Sequence, residues 1–305
     1  MENFTEAIRL NPQNEDAYGL RGIAYDITGR YQQAISDYDR AIELNPQNED
    51  AYTHRGLAYD HLGRYQQAIS DYDRAIELNP RSVVAHYNRG LTYEHLGKYQ
   101  QGISDYDRAI KLNPRYYRAY TNRGVIYAKL GDLDRAIADF DRAIELNPQN
   151  FIAYNNRANA YEIEGKYQQA ISDYDRAIRL NPRYAEAYNN RGLAYEHLGK
   201  YQQAISDYDR AIRLNPRYVR VYMNRANAYA LRRNYRKAIS DYDRAIRLNP
   251  RYAEAYYNRG VIYAKLGDTQ QAIADLRKAA NLFRQQNRIK EYRTTLDRIQ
   301  KLQSN

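Results

Sequence analysis

The chain has 305 residues and a formal net charge of +10, with 47 Lys or Arg against 37 Asp or Glu. It contains no cysteine, which excludes both a disulfide framework and a thiolate metal site. No stretch reaches the roughly 18 apolar residues of a membrane span, and the opening MENFTEAIRL is too acidic for a signal peptide. We therefore expect a cytoplasmic protein without a membrane segment.

A strict internal period dominates the sequence. All eight prolines follow an asparagine and recur every 34 residues, at Pro12, Pro46, Pro80, Pro114, Pro148, Pro182, Pro216 and Pro250. A constant period of this length indicates one supersecondary unit stacked on copies of itself, because each unit cannot bury its apolar face alone. Such arrays bind through extended surfaces.

The predicted elements follow in chain order. Residues 1–14 supply only the second helix of an incomplete leading repeat. Eight repeats cover 15–286, and position 1 of each falls at Glu15, Glu49, Val83, Tyr117, Phe151, Ala185, Val219 and Ala253. In each repeat, two runs with apolar residues three and four apart predict two helices. A glycine such as Gly29 separates them in seven repeats, and Asn-Pro ends the second helix in the first seven. Residues 287–305 are predicted to form a C-terminal capping helix.

The motif of the unit is similar to a known family. The first repeat reads Tyr18-x2-Arg21-Gly22-x2-Tyr25, followed by Ala34-x3-Tyr38-x2-Ala41 and Pro46. This pattern resembles the tetratricopeptide repeat, with Tyr in place of the usual Trp and Arg in place of the usual Leu. The resemblance implies an all-α, right-handed superhelical solenoid of antiparallel helix hairpins, whose first helices line a concave groove. It also implies a non-catalytic scaffold for protein interactions.

Two charged positions occur in every repeat. Position 7 is always Arg, from Arg21 to Arg259, and position 23 is always Asp, from Asp37 to Asp275. In a hairpin that turns near position 15, these two positions lie opposite each other, at the same level along the two helix axes. We expect a bidentate Arg–Asp pair between the two helices, which defines register more than it adds stability.

The resemblance places a possible peptide-binding groove on the first helices. Position 6, which faces the groove in related arrays, carries an asparagine in repeats three to eight: Asn88, Asn122, Asn156, Asn190, Asn224 and Asn258. An amide both donates to and accepts from the main chain of an extended peptide. The alternative is that Asn is simply common at this position. At position 5, Tyr87 and Tyr257 are also expected in the groove.

Repeats five to seven hold part of a carboxylate clamp. Some proteins of this family bind a partner's C-terminal carboxylate with cations and asparagines at fixed positions. Asn159, Asn190 and Arg220 match three of the five positions, but Asn155 and Asn224 stand where cations are required. A generic polar groove wall is the competing interpretation.

Charge divides the chain unevenly. Residues 1–150 hold 18 Lys or Arg and 22 Asp or Glu, whereas residues 151–305 hold 29 and 15. At position 29, Glu43, Glu77 and Glu145 give way to Arg179, Arg213 and Arg247. The change indicates either a solvated outer face or a basic surface for an acidic protein or nucleic acid. Nucleic acid is the less favoured partner, since near-identical repeats cannot encode a base sequence.

Nothing in the sequence indicates an enzyme. No phosphate-binding loop or nucleophile motif occurs, and the five histidines are too dispersed to hold one metal ion. We expect no cofactor, no metal site and a protein or peptide partner. Self-association is an alternative, because the outer face of residues 1–14, which carries Phe4, lacks a partner helix.

Overall fold

The computed structural model describes residues 2–304. Within that range the only regular elements are helices, 18 in number, so the expected all-α class is confirmed. The chain forms two compact units, one up to Ala153 and one from Tyr154, and the division falls inside α10. Each unit is described by itself below.

The helices alternate between two kinds. First helices begin at position 1 of a repeat: α2 (Glu15–Ile27), α4 (Glu49–His61), α6 (Val83–His95), α8 (Tyr117–Lys129), α10 (Phe151–Ile163), α12 (Ala185–His197), α14 (Val219–Leu231) and α16 (Ala253–Lys265). Second helices begin at or near position 17: α3 (Tyr31–Leu44), α5 (Tyr65–Leu78), α7 (Tyr99–Leu112), α9 (Leu133–Leu146), α11 (Tyr167–Leu180), α13 (Tyr201–Leu214), α15 (Tyr235–Leu248) and α17 (Thr269–Gln285). The flanking helices are α1 (Glu2–Leu10) and α18 (Ile289–Gln303).

The turn inside each hairpin needs a left-handed residue at position 15. Gly29 has a φ of 73°, and the glycines at six further repeats have φ between 69° and 83°. The seventh repeat has Arg233 there instead, with a φ of 58°. A side chain in this region is strained, because its Cβ crowds the following carbonyl.

Asn-Pro ends every second helix except α17, which continues to Gln285. α3 stops at Leu44, and Asn45 is extended, with φ −139° and ψ 92°. The side-chain oxygen of Asn45 accepts a hydrogen bond from the N–H of Gln47 at 3.0 Å, and Asn249 accepts from Arg251 at 3.1 Å. The proline thus blocks continuation of the helix, and the asparagine closes the turn that follows.

The core of a hairpin forms where the two helices approach closely. In α3, Ala34, Tyr38 and Ala41 are completely buried. A Cβ added to Gly22 on α2 would lie 2.5 Å from a ring carbon of Tyr38, so a side chain there would force the ring to move. The Tyr38 hydroxyl donates to Asp26 at 2.7 Å, which satisfies its polar group inside the core.

The predicted Arg–Asp pair is present in every hairpin. In the second unit, Nε and Nη2 of Arg191 donate to the two carboxylate oxygens of Asp207 at 2.8 and 2.6 Å. Its third nitrogen, Nη1, pairs with Asp175 on the preceding second helix. This second partner was not predicted from the sequence. Position 25 therefore connects one repeat to the next, and the same arrangement joins Arg55 to Asp39 in the first unit at 2.7 Å.

The flanking helices are less buried than the hairpins. No residue of α1 is fully buried, and Phe4 and Ala7 are half-buried, so association through this end stays a prediction. α18 packs on α17 and buries Thr295 and Ile299, while Leu296 remains 41% exposed. Among the residues described, no helix is both long and apolar enough to cross a membrane.

Arg191→Leu should destabilise the protein strongly. It leaves the carboxylate of Asp207, which is 5% exposed, without its bidentate partner. We expect a loss of about 3–5 kcal/mol in the free energy of unfolding, measured by chemical denaturation. Asp175→Asn is the control, because that side chain is 35% exposed and its pair should contribute less than about 1 kcal/mol. Equal losses in the two variants would contradict this assignment.

Arg233→Gly should stabilise the protein. Glycine removes the cost of a left-handed side chain at this turn, which is about 1 kcal/mol. The gain should appear as a higher denaturation midpoint. Gly199→Ala, at the same position of the preceding repeat with a φ of 70°, should lower the midpoint. An unchanged midpoint for Arg233→Gly would mean that the turn carries no such strain.

Candidate functional site

The predicted groove asparagines all lie on first helices, and none is fully exposed. Asn88 is buried, at 8% exposure, and Asn122, Asn156, Asn190, Asn224 and Asn258 are half-buried. Asn88 and Asn122 belong to the first unit and the other four to the second. Their side chains are therefore held within a polar surface and do not project freely into solvent.

In the second unit, three of these four amides bond to the preceding repeat. Asn190 Nδ2 donates to Asn159 Oδ1 at 3.1 Å, and Asn224 Nδ2 donates to Asn189 Oδ1 at 2.9 Å. Asn258 Nδ2 donates to Asn227 Oδ1 at 3.2 Å. We call this chain of side chains the amide network. It fixes the rotamers of Asn190, Asn224 and Asn258, because each has one N–H bound to a neighbour.

Two buried tyrosines anchor the network. Tyr174 donates its hydroxyl to Asn159 Oδ1 at 2.6 Å, and Tyr242 donates to Asn227 Oδ1 at 2.7 Å. Sequence reasoning did not assign Asn227 a role. The available signal was the pair Ala-Asn at positions 8 and 9 of repeats five and seven, where the neighbouring repeats have Gly and an apolar residue.

One amide in this region is incompletely satisfied. Asn155 is 1% exposed, and its Nδ2 donates weakly to Asn156 Oδ1 at 3.4 Å. Among residues 2–304, its Oδ1 is one of the few buried side-chain oxygens without a hydrogen-bond partner. Asn189, at the equivalent position of the next repeat, donates to Asn190 at 3.0 Å and accepts from Asn224.

The three residues that match a carboxylate clamp are only partly brought together. Asn159 and Asn190 are hydrogen-bonded to each other, as described above. Arg220 is exposed at the first turn of α14 and makes no ion pair among the residues described. The pair of asparagines thus forms part of the amide network, and the clamp stays a hypothesis.

Tyr87, in the first unit, lies in a cleft of about 360 Å³ that Asn122, Thr121 and Arg118 also line. Asn122 Nδ2 donates to its hydroxyl at 3.0 Å, and its ring meets Tyr116 edge-on at 5.1 Å. Burial, followed by the nearby Tyr116, raises the pKa of Tyr87 to about 12. The hydroxyl therefore stays protonated and can donate to a ligand.

Tyr257, in the second unit, is covered by the C-terminal helix. Arg298 on α18 donates to its hydroxyl at 3.0 Å, and the guanidinium lies 5.7 Å from the ring centroid. Its ring also contacts Phe283. A cleft of about 360 Å³ remains beside it, lined by Glu254, Arg288 and Thr294 among others.

Carboxylates at position 12 lie close to the core. The Tyr174 hydroxyl, which donates to Asn159, also lies 2.8 Å from a carboxylate oxygen of Glu162, and Tyr208 donates to Glu196 at 3.1 Å. Burial raises the pKa of both glutamates, although the tyrosine hydroxyls and His197 oppose the shift. Ionisation of either glutamate therefore lowers the free energy of unfolding. Among the described residues, no group of three or more potential ligands is placed to hold a metal ion.

Comparison with known families agrees with this geometry. Tetratricopeptide repeat models match residues 15–48, 49–82, 87–151, 140–172, 163–199, 185–218, 231–267 and 253–290. The chain belongs to the tetratricopeptide repeat family. Members of this family typically act as non-catalytic scaffolds for protein interactions, and membership supports that general class of function here. A search of curated proteins found no match.

Solved structures show the same fold. The APC/C hetero-tetramer Cut9–Hcn1 matches at a TM-score of 0.68 and 19% identity, over 85% of this chain and 51% of that one. A tetratricopeptide repeat protein from Parabacteroides merdae matches at 0.62 and 22% identity, over 85% and 99%. Yeast Tom70 matches at 0.60 and 21% identity, over 95% and 64%. This chain therefore spans about half of the Cut9–Hcn1 chain it matches.

Glu196→Gln should stabilise the protein at neutral pH. The folded state holds the proton of Glu196 to a higher pH than the unfolded state, so stability falls as pH rises through that raised pKa. Gln keeps an acceptor for Tyr208 without the charge. The free energy of unfolding should therefore rise by about 1.4 kcal/mol for each unit by which the pKa of Glu196 is raised.

The test is denaturation of both proteins between about pH 3 and pH 7. The advantage of the variant should vanish below the pKa of a free glutamate, where both states are protonated. Glu43→Gln, at a side chain that is 65% exposed, should show little pH-dependent difference. A constant gain at all pH values would show that charge is not the cause.

Proposed function

We propose that the second unit binds an extended peptide segment of a partner protein on its first-helix face. The main support is the amide network, which holds Asn190, Asn224 and Asn258 in place through one N–H each. An amide carries a second N–H and an oxygen with two lone pairs, so each asparagine keeps groups for a ligand. Groups fixed before binding lose less entropy when the partner arrives.

The chemistry of these side chains favours an extended segment over a helix. An extended peptide presents unpaired N–H and C=O groups at regular intervals, and an amide can serve both. A helical partner has already satisfied those groups internally and would dock through apolar side chains. The position-6 residues in this unit, Asn156, Asn190, Asn224 and Asn258, offer no such apolar stripe.

The first unit would contribute differently. Tyr87 and Asn122 are bonded to each other beside an open cleft, and so offer an aromatic ring together with an amide. We propose that this pair accepts an apolar or aromatic side chain of a partner. Tyr257, which α18 partly covers, has a smaller free surface. In this proposal residues 15–286 form the binding array, and α1 and α18 flank it.

Changing Asn156, Asn190 and Asn224 together to Ala should weaken peptide binding. Each net hydrogen bond lost is worth about 0.5–1.5 kcal/mol, or about 2- to 10-fold in affinity. The probes are peptides selected from a displayed random library on the wild-type protein, with affinities measured by calorimetry.

The control is the double variant Asn189→Ala and Asn227→Ala. It removes acceptors of the amide network but leaves every position-6 asparagine in place. It should lower stability and weaken binding less than the triple variant, because the asparagines lose their fixed rotamers but keep the groups that bond to the peptide. If the triple variant binds the selected peptides as well as the wild type, the position-6 amides do not contact the ligand.

A further inference from the structure

A second surface lies on the second helices, at positions 26 and 29. In the first unit these positions form neutral pairs in three of the four hairpins. Arg40 donates to Glu43 at 2.9 Å, Arg74 to Glu77 at 3.1 Å, and Arg142 to Glu145 at 2.9 Å. The remaining hairpin has Lys111 at position 29. Each glutamate side chain is about two-thirds exposed, so these pairs lie at the surface.

The second unit replaces the glutamate with arginine three times in succession. The result is three pairs of arginines spaced three residues apart: Arg176 with Arg179, Arg210 with Arg213, and Arg244 with Arg247. We call these six residues the arginine face. Within residues 2–304, none of the six forms an ion pair, and Arg179, Arg213 and Arg247 are exposed.

The fold does not require this charge. The first unit forms the same hairpins with glutamate at position 29, as α3, α5 and α9 show. Like charges three residues apart on a helix repel each other, although the C-terminal end of the helix dipole offsets part of this. Arg183, Arg217 and Arg251 add further exposed charge just beyond the three helices.

We propose that the arginine face binds an acidic segment of a partner polypeptide. The first unit shows the bond that such a partner would make. There the guanidinium at position 26 forms a salt bridge with the glutamate carboxylate at position 29, at 2.9–3.1 Å. In the second unit a carboxylate from outside would replace the missing glutamate. Arginine suits this role, since its planar fork of donors matches a carboxylate.

The surroundings favour a polypeptide over nucleic acid. Single-stranded nucleic acid is held by bases stacked on free aromatic rings. The rings next to this face, Tyr154 and Tyr188, lie under the guanidinium groups of Arg176 and Arg210, each 5.9 Å from the ring centroid. They are therefore already covered. The arginine face lies on second helices and the amide network on first helices, so separate variants test the two proposals.

The test replaces Arg179, Arg213 and Arg247 with Glu, the residue that the first unit carries at this position. The probe is poly-L-glutamate, with binding followed by calorimetry at low and at physiological ionic strength. The wild type should bind, and the triple variant should bind at least 10-fold more weakly, because three attractions become repulsions. Circular dichroism checks that the helices are intact.

The matched control changes Arg30, Arg64 and Arg81 to Glu, which alters net charge by the same amount at exposed sites of the first unit. It should keep most of the affinity. An equal loss in both variants would overturn the proposal, since net charge alone would then hold the polyanion. Tighter binding of a DNA duplex than of poly-L-glutamate, lost in the same variant, would also overturn it.

A reciprocal variant gives an independent result. Changing Glu43, Glu77 and Glu145 to Arg recreates the arginine pairs in the first unit without altering the second. It should bind poly-L-glutamate with a higher stoichiometry or affinity than the wild type. No gain in this variant would show that paired arginines at positions 26 and 29 do not form a binding surface, and would overturn the proposal.

Discussion

The array depends on a guanidinium that bonds in two directions. The arginine at position 7 holds the aspartate at position 23 of its own hairpin with two nitrogens, and its third nitrogen holds position 25 of the preceding repeat, as Arg191 does. One side chain thus sets the register inside a hairpin and between hairpins. Its planar geometry allows this, whereas a leucine at the same position could only fill space. The tyrosine core and the amide network form on helices placed by this contact.

The sequence predicted the parts of this structure that depend on local rules. The helix starts, the left-handed turn at Gly29 and the stop at Asn45 follow from backbone preferences of single residues. The pair of Arg191 with Asp207 could be predicted because positions 7 and 23 lie at the same level along the two helices of a hairpin. The second partner, Asp175, was missed, because its contact depends on how neighbouring repeats stack and no short-range rule gives that distance.

The candidate site could likewise be predicted only where local rules apply. Its asparagines could be placed on the first helices from the family motif, and the structure puts them there. Their mutual bonding could not be foreseen, because it requires Asn159 and Asn227 to reach across to the next repeat while buried tyrosines hold their oxygens. The arginine face was visible in the sequence as a change of charge. That its residues form no ion pair is a structural result, which sequence alone leaves open because arginine side chains reach many neighbours.

The two-way bond of the position-7 arginine also bears on how such a chain can grow. In repeats one to seven, a segment copied from position 1 to position 34 carries its own arginine and both aspartates, whereas the eighth has Arg277 at position 25. Inserted between two existing repeats, it offers a carboxylate to the repeat after it and a guanidinium to the repeat before it. Each such copy therefore carries the bonding partners for both of its junctions, so duplication or deletion of one of these repeats keeps the junctions paired without a compensating substitution.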